Sequence, residues 1–253
     1  MKKIHFAHPY MINPTHQLTV NLIGVGGTGS QVLSALGRID HALYKLGHPG
    51  IQVQAHDPDI VTEANIGRQL FCESDLGLNK AVVLITRINQ FYGVNWLASP
   101  EEFSNEDGSA NITISCVDSV KSRLDIEKQL QKAKRGMDHS NLHYWLDFGN
   151  TTSSGQVVLG TPLDIKQPDS KKFETVSKLP LVTEMFNLKK VKEKDSGPSC
   201  SLAEALRKQD LFINSSLAQL GCALLWKLLS TGSVDYRGLY LNLETMNVNP
   251  IKL

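Results

Sequence analysis

The chain has few cysteines and no close pair of them. Its four, Cys72, Cys116, Cys200 and Cys222, lie too far apart for the short spacings from which a structural zinc site draws its ligands. Four in 253 residues is also too sparse for a disulfide-stapled scaffold. Neither sign of charge dominates: 26 Lys and Arg stand against 25 Asp and Glu, a formal net charge of +1. That balance supplies no electrostatic reason for a nucleic acid or an acidic membrane as partner. No apolar run is long enough to span a bilayer. The start, MKKIHFAHPYMINPTHQ, is basic but lacks the sustained apolar core of a leader, so a cytoplasmic protein is expected. HExxH and HxxEH patterns are absent, and His139 and His143 are expected in a loop or at a strand edge. Internal repeats and low-complexity tracts are absent as well.

What is present is an ordinary globular composition, 41% hydrophobic and 20% charged, long enough for one large domain or two small ones. Residues 18–23, LTVNLI, read as a strand that ends at the glycine loop Gly24-Val25-Gly26-Gly27-Thr28-Gly29. Val32, Leu36, Ile39, Leu43 and Leu46 then recur at helical spacing until HPG at 48–50. A second strand, IQVQAH at 51–56, runs into Asp57 and Asp59. A helix over 77–91, a strand over 94–99, a β-branched strand over 112–117, a charged helix over 121–134 and a strand over 143–148 follow. GQVVLG at 155–160 fits an antiparallel return, and the last residues a hairpin behind an apolar helix over 212–229. This order predicts an α/β fold with a Rossmann-like, mostly parallel sheet, helices on both faces and antiparallel C-terminal strands. Residues 161–200 are rich in Lys, Pro and Ser and read as a long crossover connection with some local structure or a functional role. Trp145 and Trp226 read as core anchors, Cys116 as strand core, Cys222 as helix core and Cys72 as packing.

Gly24, Gly26 and Gly29 satisfy GxGxxG, and Gly27 adds a fourth glycine. Such a loop between a strand and a helix lets phosphates approach the backbone and the helix N-terminus. Asp57, at the tip of the second strand, is placed to accept ribose hydroxyls. These features suit NAD, FAD or ATP equally. Further along come Asn65, Arg68, Gln69, Lys80, Asp118 and Arg123. Hydride transfer by an NAD- or FAD-dependent oxidoreductase needs no such set at the phosphate end. Nucleotidyl transfer does, because negative charge spreads over the α-phosphate and the leaving pyrophosphate. An aspartate beside them can hold magnesium.

These segments resemble the ThiF/MoeB/E1-like superfamily, the activating enzymes for ubiquitin and related β-grasp proteins. GVGGTGS is similar to the family's glycine loop. HDPDIVTEANIGRQLF resembles its D-x-D-x-V-x-x-S-N-L-x-R-Q-x-x-F segment, and CVDSVKSR its C-x-D-N-x-x-x-R segment. The resemblance implies one adenylation domain over residues 1–253. It implies that Asp57 binds ribose and that Asn65, Arg68 and Lys80 contact the phosphates of ATP, with Asp59 and Gln69 in the same segment. It makes Asp118 the Mg2+-linked aspartate, with Arg123 supporting that strand tip. It further implies adenylation of the C-terminal glycine carboxylate of a small ubiquitin-like protein, a homodimer, and an E2-like acceptor downstream.

Three departures stand out. The first Arg of the chain is Arg38, so the arginine that family members carry before strand one is missing. The CxxC pairs that hold zinc in many members are missing too. The stretch from Gly29 to Asp57 is longer than usual. Cys200 precedes a helix expected from near Ser201, a position that favours the thiolate, and is the candidate for taking the acyl group afterwards. Other readings are adenylation of a different substrate such as a tRNA, or a non-catalytic protein that keeps the fold.

Overall fold

The computed structural model describes residues 1–104, 109–132, 141–188 and 209–253. Cys200, His139 and the helix expected near Ser201 lie outside the described residues. The first half of the fold runs β1 (Lys2–Phe6), α1 (Pro9–Ile12), β2 (Leu18–Ile23), α2 (Gly27–Lys45), β3 (Ile51–His56), α3 (Lys80–Tyr92) and β4 (Leu97–Ser99). The second half runs β5 (Ile112–Ser115), α4 (Val120–Lys132), β6 (Tyr144–Asn150), β7 (Ser154–Gly160), β8 (Phe173–Thr175), α5 (Val182–Met185), α6 (Ile213–Thr231), β9 (Ser233–Val234), β10 (Tyr236–Asn242) and β11 (Asn247–Lys252).

Eight strands form one sheet in the order β11-β10-β7-β6-β5-β2-β3-β4. The pairs from β4 to β6 are parallel, and β6-β7, β7-β10 and β10-β11 are antiparallel. This is the mixed α/β fold expected from the sequence, terminal hairpin included. Alternation along each strand sorts side chains between two cores. Leu18, Val20 and Leu22 of β2, with Leu146 and Phe148 of β6, join the larger core, which also takes residues of α2, α3 and α6. Ile23, Trp145 and Val158 face the other way and pack with Ile126 and Leu130 of α4 and Val182 of α5. LTVNLI and ITIS nevertheless alternate in sequence, because the second face of the sheet buries polar Asn21, Thr113 and Ser115.

Local chemistry sets the helix limits. Asn79 Oδ1 accepts the Val82 N–H and caps α3, a contribution of about 1 kcal/mol. Gly93 and Gly232 end α3 and α6 in the left-handed conformation, at φ 69° and 71°. The helix expected over 77–91 therefore begins three residues later, because Asn79 is its cap and not part of its first turn. Between 160 and 188 the long connection carries β8 and α5, so local structure is present there.

One feature was not expected. β1 pairs in parallel with β8 and antiparallel with β9 in a separate three-stranded sheet. Its His5 is buried, with Nδ1 2.7 Å from Val176 O and Nε2 3.0 Å from the Tyr144 hydroxyl. His143 is buried at the start of β6 and stacks on His8 with ring centroids 4.1 Å apart. Trp145 is fully buried as expected, whereas Trp226 only packs against the core from its margin. Among the described residues no helix is long and apolar enough to cross a membrane.

Candidate functional site

A cavity of about 580 Å3 opens at the C-terminal ends of the parallel strands. In open α/β sheets this is where ligands bind. Its volume is in the usual range for a small-molecule site, about 300–1,000 Å3. Gly24, Gly26, Gly27, Asp57, Asp59, Arg68, Gln69, Lys80 and Asp118 all line it. Those residues span a long stretch of chain, and the topology brings them to one place.

The glycine loop is held closed by backbone contacts. Gly24 adopts φ 82°, and its N–H donates to His56 O at 2.8 Å. The Val25 N–H donates to Asp57 Oδ2 at 2.7 Å, which ties the loop to the tip of β3. A Cβ on Gly29 would overlap the Gly24 carbonyl oxygen, and one on Gly27 would meet Asn214 Nδ2 at 2.8 Å. Gly26 is the N-cap of α2 and has no side-chain cap, and the first turn holds no acidic residue. The free N–H groups and the positive end of the helix therefore face the cavity.

Around this loop the charges are arranged unevenly. Asp57 is buried, which raises its pKa, while the Val25 N–H and nearby Lys80 act in the opposite direction. Its Oδ1 accepts the Asp59 N–H at 3.0 Å. Buried Lys80 pairs with the exposed Asp59 carboxylate at 2.7 Å. Arg68 donates through Nη1 to Gln209 Oε1 at 2.7 Å. Its Nε is buried and lacks a hydrogen-bond partner among the described residues, as is Gln69 Oε1 next to it. Burial accordingly lowers the Arg68 pKa, since no counter-charge offsets the desolvation.

Asn65 is placed differently from the other expected phosphate contacts and does not line the cavity. Its Oδ1 accepts from Thr62 N at 2.9 Å and Thr62 Oγ1 at 3.1 Å, and its carbonyl accepts the Gln69 N–H at 2.9 Å. It shapes the turn that carries Arg68 and Gln69. Arg123 is buried beneath the floor. It donates to both Asp147 oxygens at 3.1 and 3.2 Å and to the carbonyls of Val117 and Phe148 at 2.7 and 2.8 Å. Two strand tips are joined there, as expected of a residue that supports the tip before Asp118. Cys116, expected as strand core, sits just past the end of β5 and lines the cavity, its thiol pKa pushed up by burial. Cys222 is buried in α6 with its pKa raised to about 12.

Several lining residues carry no motif. Asn214, in the first turn of α6, accepts from Thr28 Oγ1 at 2.9 Å and from Asn150 Nδ2 at 2.7 Å, and donates to Gln209 Oε1 at 2.9 Å. That chain of hydrogen bonds runs from Arg68 to the first turn of α2. His56, Phe103 and Gln129 line the cavity elsewhere. A polar residue opening an otherwise apolar helix was the one available signal for Asn214. His56, Phe103 and Gln129 offered none. For magnesium, no cluster of three or more His, Cys, Asp or Glu able to hold a metal occurs among the described residues. Asp118 is an exposed carboxylate on a wall that also carries Asp57, Asp59, Glu102 and Asp125. One carboxylate suits Mg2+, which is commonly held by one or two carboxylates plus substrate phosphates.

The ThiF family model matches residues 12–250. No curated protein matches the sequence. Among solved structures, the chain is similar to Escherichia coli MccB solved with succinimide, at 15% identity and TM-score 0.57, covering 93% of this chain and 63% of that one. It is similar to PaaA at 17% identity and TM-score 0.55, covering 93% and 64%. It is also similar to E. coli MccB solved with ATP, at 16% identity and TM-score 0.56, covering 93% and 63%. These likenesses establish the fold. The chain spans about 63% of the length of the first of them.

Proposed function

The chain belongs to the ThiF family, and from that premise we propose that it is an adenylating enzyme that uses ATP to activate a carboxylate. The observation that carries the reading is a buried donor in the cavity wall, Arg68 Nε, which has no partner among the described residues. An unpaired buried donor or acceptor costs about 1–3 kcal/mol, and more for a charged group. A phosphate on the open N-terminus of α2 would satisfy the guanidinium and receive the helix dipole at once. That E. coli MccB has been solved with ATP supports the same nucleotide.

In this reading Asp57 holds the ribose while its other contacts keep the loop in place. Arg68 and Lys80 face the phosphates, and Lys80 shares its charge between Asp59 and the nucleotide. Asp118 would hold Mg2+, which would neutralise phosphate charge when bound. Asn65 and Arg123 position these groups without touching substrate. A carboxylate is already ionised at neutral pH, so the chain needs no general base. Its task is to hold the incoming carboxylate oxygen in line with the α-phosphorus and to stabilise the charge that develops there. The acid's C–O bond is retained, a new O–P bond forms, and pyrophosphate leaves with the electron pair.

E. coli MccB has been solved with MccA, which is not part of the sequence resemblance. The substrate is therefore drawn more widely than the β-grasp tail implied by the sequence resemblance: the C-terminal carboxylate of a peptide or small protein. E. coli MccB solved with MccA supports a second ligand on this fold. The whole chain acting as one adenylation unit, its pairing with a second copy and acyl transfer to Cys200 are further parts of this reading.

The test is exchange of labelled pyrophosphate into ATP, with carboxylate-terminated peptides and small ubiquitin-like proteins as substrates and their C-terminal amides as controls. Exchange should require the free carboxylate. Arg68→Ala should lower it about 100- to 1,000-fold, as expected for removing a donor aimed at developing charge. Failure of the chain to bind ATP, or absence of exchange with every carboxylate offered, would sink the proposal, and unchanged exchange in Arg68→Ala would sink the role given to Arg68.

A further inference from the structure

The same cavity has an end that phosphate chemistry does not use, and it is built around one misplaced acceptor. Gln129 lies on α4 and lines the cavity. Its Nε2 donates to the backbone carbonyl of Phe103 at 2.9 Å. A carbonyl oxygen can only accept, so this contact fixes which end of the amide is which. Gln129 Oε1 then faces the other way. It is buried, and it has no hydrogen-bond partner among the described residues. Buried acceptors are seldom left in this state unless a water or a ligand group completes them.

The surroundings show what kind of group would do so. Phe103 lines the cavity, and its ring packs edge to face with His56, centroids 5.2 Å apart at an interplanar angle of 79°. His56 is buried at the tip of β3, directly before Asp57. Ile23, Val117 and Ile126 complete an apolar wall that is continuous with the smaller core. An apolar, aromatic-edged slot with one fixed acceptor fits a flat heteroaromatic ring that bears an exocyclic N–H.

Resting on the ATP reading above, we infer that Gln129 is a specificity-determining residue. Its Oε1 accepts a hydrogen bond from the 6-amino group of adenine, and Phe103 and His56 wall the ring. A chain of contacts links the two ends of the cavity: the Val25 N–H bonds Asp57, His56 directly precedes it, Phe103 packs on His56, and Gln129 holds the Phe103 carbonyl. Guanine and hypoxanthine carry a carbonyl oxygen at position 6. Either would set acceptor against acceptor and leave both unpaired. A site built around a hydrogen bond rejects the ligand that lacks the matching group far more strongly than an apolar slot rejects a size change.

Direct binding to the full chain tests this with four ligands: ATP, inosine triphosphate, ATP doubly methylated on the 6-amino nitrogen, and inorganic tripolyphosphate. The unaltered protein should bind ATP at least about tenfold more tightly than either base-modified nucleotide, the ratio expected for one hydrogen bond of ordinary strength. Gln129→Met keeps the side-chain length and removes the acceptor. It should bring ATP and inosine triphosphate to nearly equal affinity and leave tripolyphosphate binding unchanged. The ligand comparison needs no variant, so it stands even where Gln129→Met folds poorly. Equal binding of ATP and inosine triphosphate by the unaltered protein overturns the inference, as does a ratio that Gln129→Met does not move. Tripolyphosphate binding as tight as ATP also overturns it while leaving the phosphate end intact. If neither ATP nor tripolyphosphate binds, the adenylation reading has failed and this inference fails with it.

Discussion

The end of the cavity at the glycine loop is built on the backbone of residues 24–29, with Asp57, Arg68, Gln69 and Lys80 from the same half of the chain. Asn150, Gln209 and Asn214 brace it from the other half. The end at Gln129 is made from side chains that reach it from α4, from the segment after β4 and from the tip of β3. At the first end, shape is dictated by close approach: Gly24 needs a positive φ, and neither Gly27 nor Gly29 has space for a Cβ. At the second, one amide orientation decides the chemistry, and the wall around it is ordinary apolar packing. The contrast teaches that a nucleotide site can be rigid where its ligand is generic and set by single side chains where the ligand is particular. Phosphates are common to all nucleotides, so the groups that hold them tolerate little change. The base distinguishes one nucleotide from another.

This contrast can be broken in order of expected effect. Gly29→Ala should do the most damage. The clash is with a backbone oxygen, so the loop must move as a unit, at about 2–4 kcal/mol and with loss of nucleotide binding. Chemical denaturation and ATP titration would measure both, and a variant of native stability that still binds ATP would refute the rigid-loop account. Asn214→Ala should come next, at about 2 kcal/mol, because Asn150 Nδ2 and Thr28 Oγ1 lose a buried acceptor. Gln129→Met, by contrast, should cost only about 1 kcal/mol, since the Phe103 carbonyl alone loses a donor. A large loss there would mean that the second end is structural and would erase the distinction.

The smallest effect belongs to a control outside the cavity. Asp235 is held between Lys2 and Lys227, and these contacts pull its pKa from 3.8 down to about 2. A carboxylate depressed in the folded state adds stability above its unfolded pKa and loses it as pH falls through the folded value. The contribution of this pair of contacts should therefore be present above about pH 4 and fade toward pH 2. Asp235→Asn should flatten that slope, by no more than about 1 kcal/mol for so exposed a pair. Thermal melts across that range would show it, and an unchanged slope would mean that the two lysines do not act on Asp235 in solution.

How much of this was legible in the sequence follows the same division. The glycine loop, Asp57, Arg68, Gln69 and Lys80 were readable because their spacing is local, and a strand, a turn and a helix suffice to bring them together. The α/β class, the terminal hairpin and the long connection were readable from periodicity and turn residues. β1 was not, because Lys2–Phe6 becomes a strand only through partners at Phe173 and Val234, which no local pattern announces. Asn65 was legible as part of a motif, but its placement facing Thr62 and not the cavity was not. Gln129 was invisible for a stronger reason. A glutamine on a charged helix is common, and only the burial of its Oε1, with Nε2 held on the Phe103 carbonyl, sets it apart.

The hydrogen bond from the Val25 N–H to Asp57 Oδ2 has a kinetic meaning as well. With Gly24 N held on His56 O, it keeps the loop in its working shape before any ligand arrives. The conformational entropy of the loop is then lost once, when the chain folds, and is not charged again at every binding event. Arrival of a nucleotide need not wait for the loop to organise. Association should be limited by diffusion and orientation, and affinity should be tuned through the lifetime of the bound state.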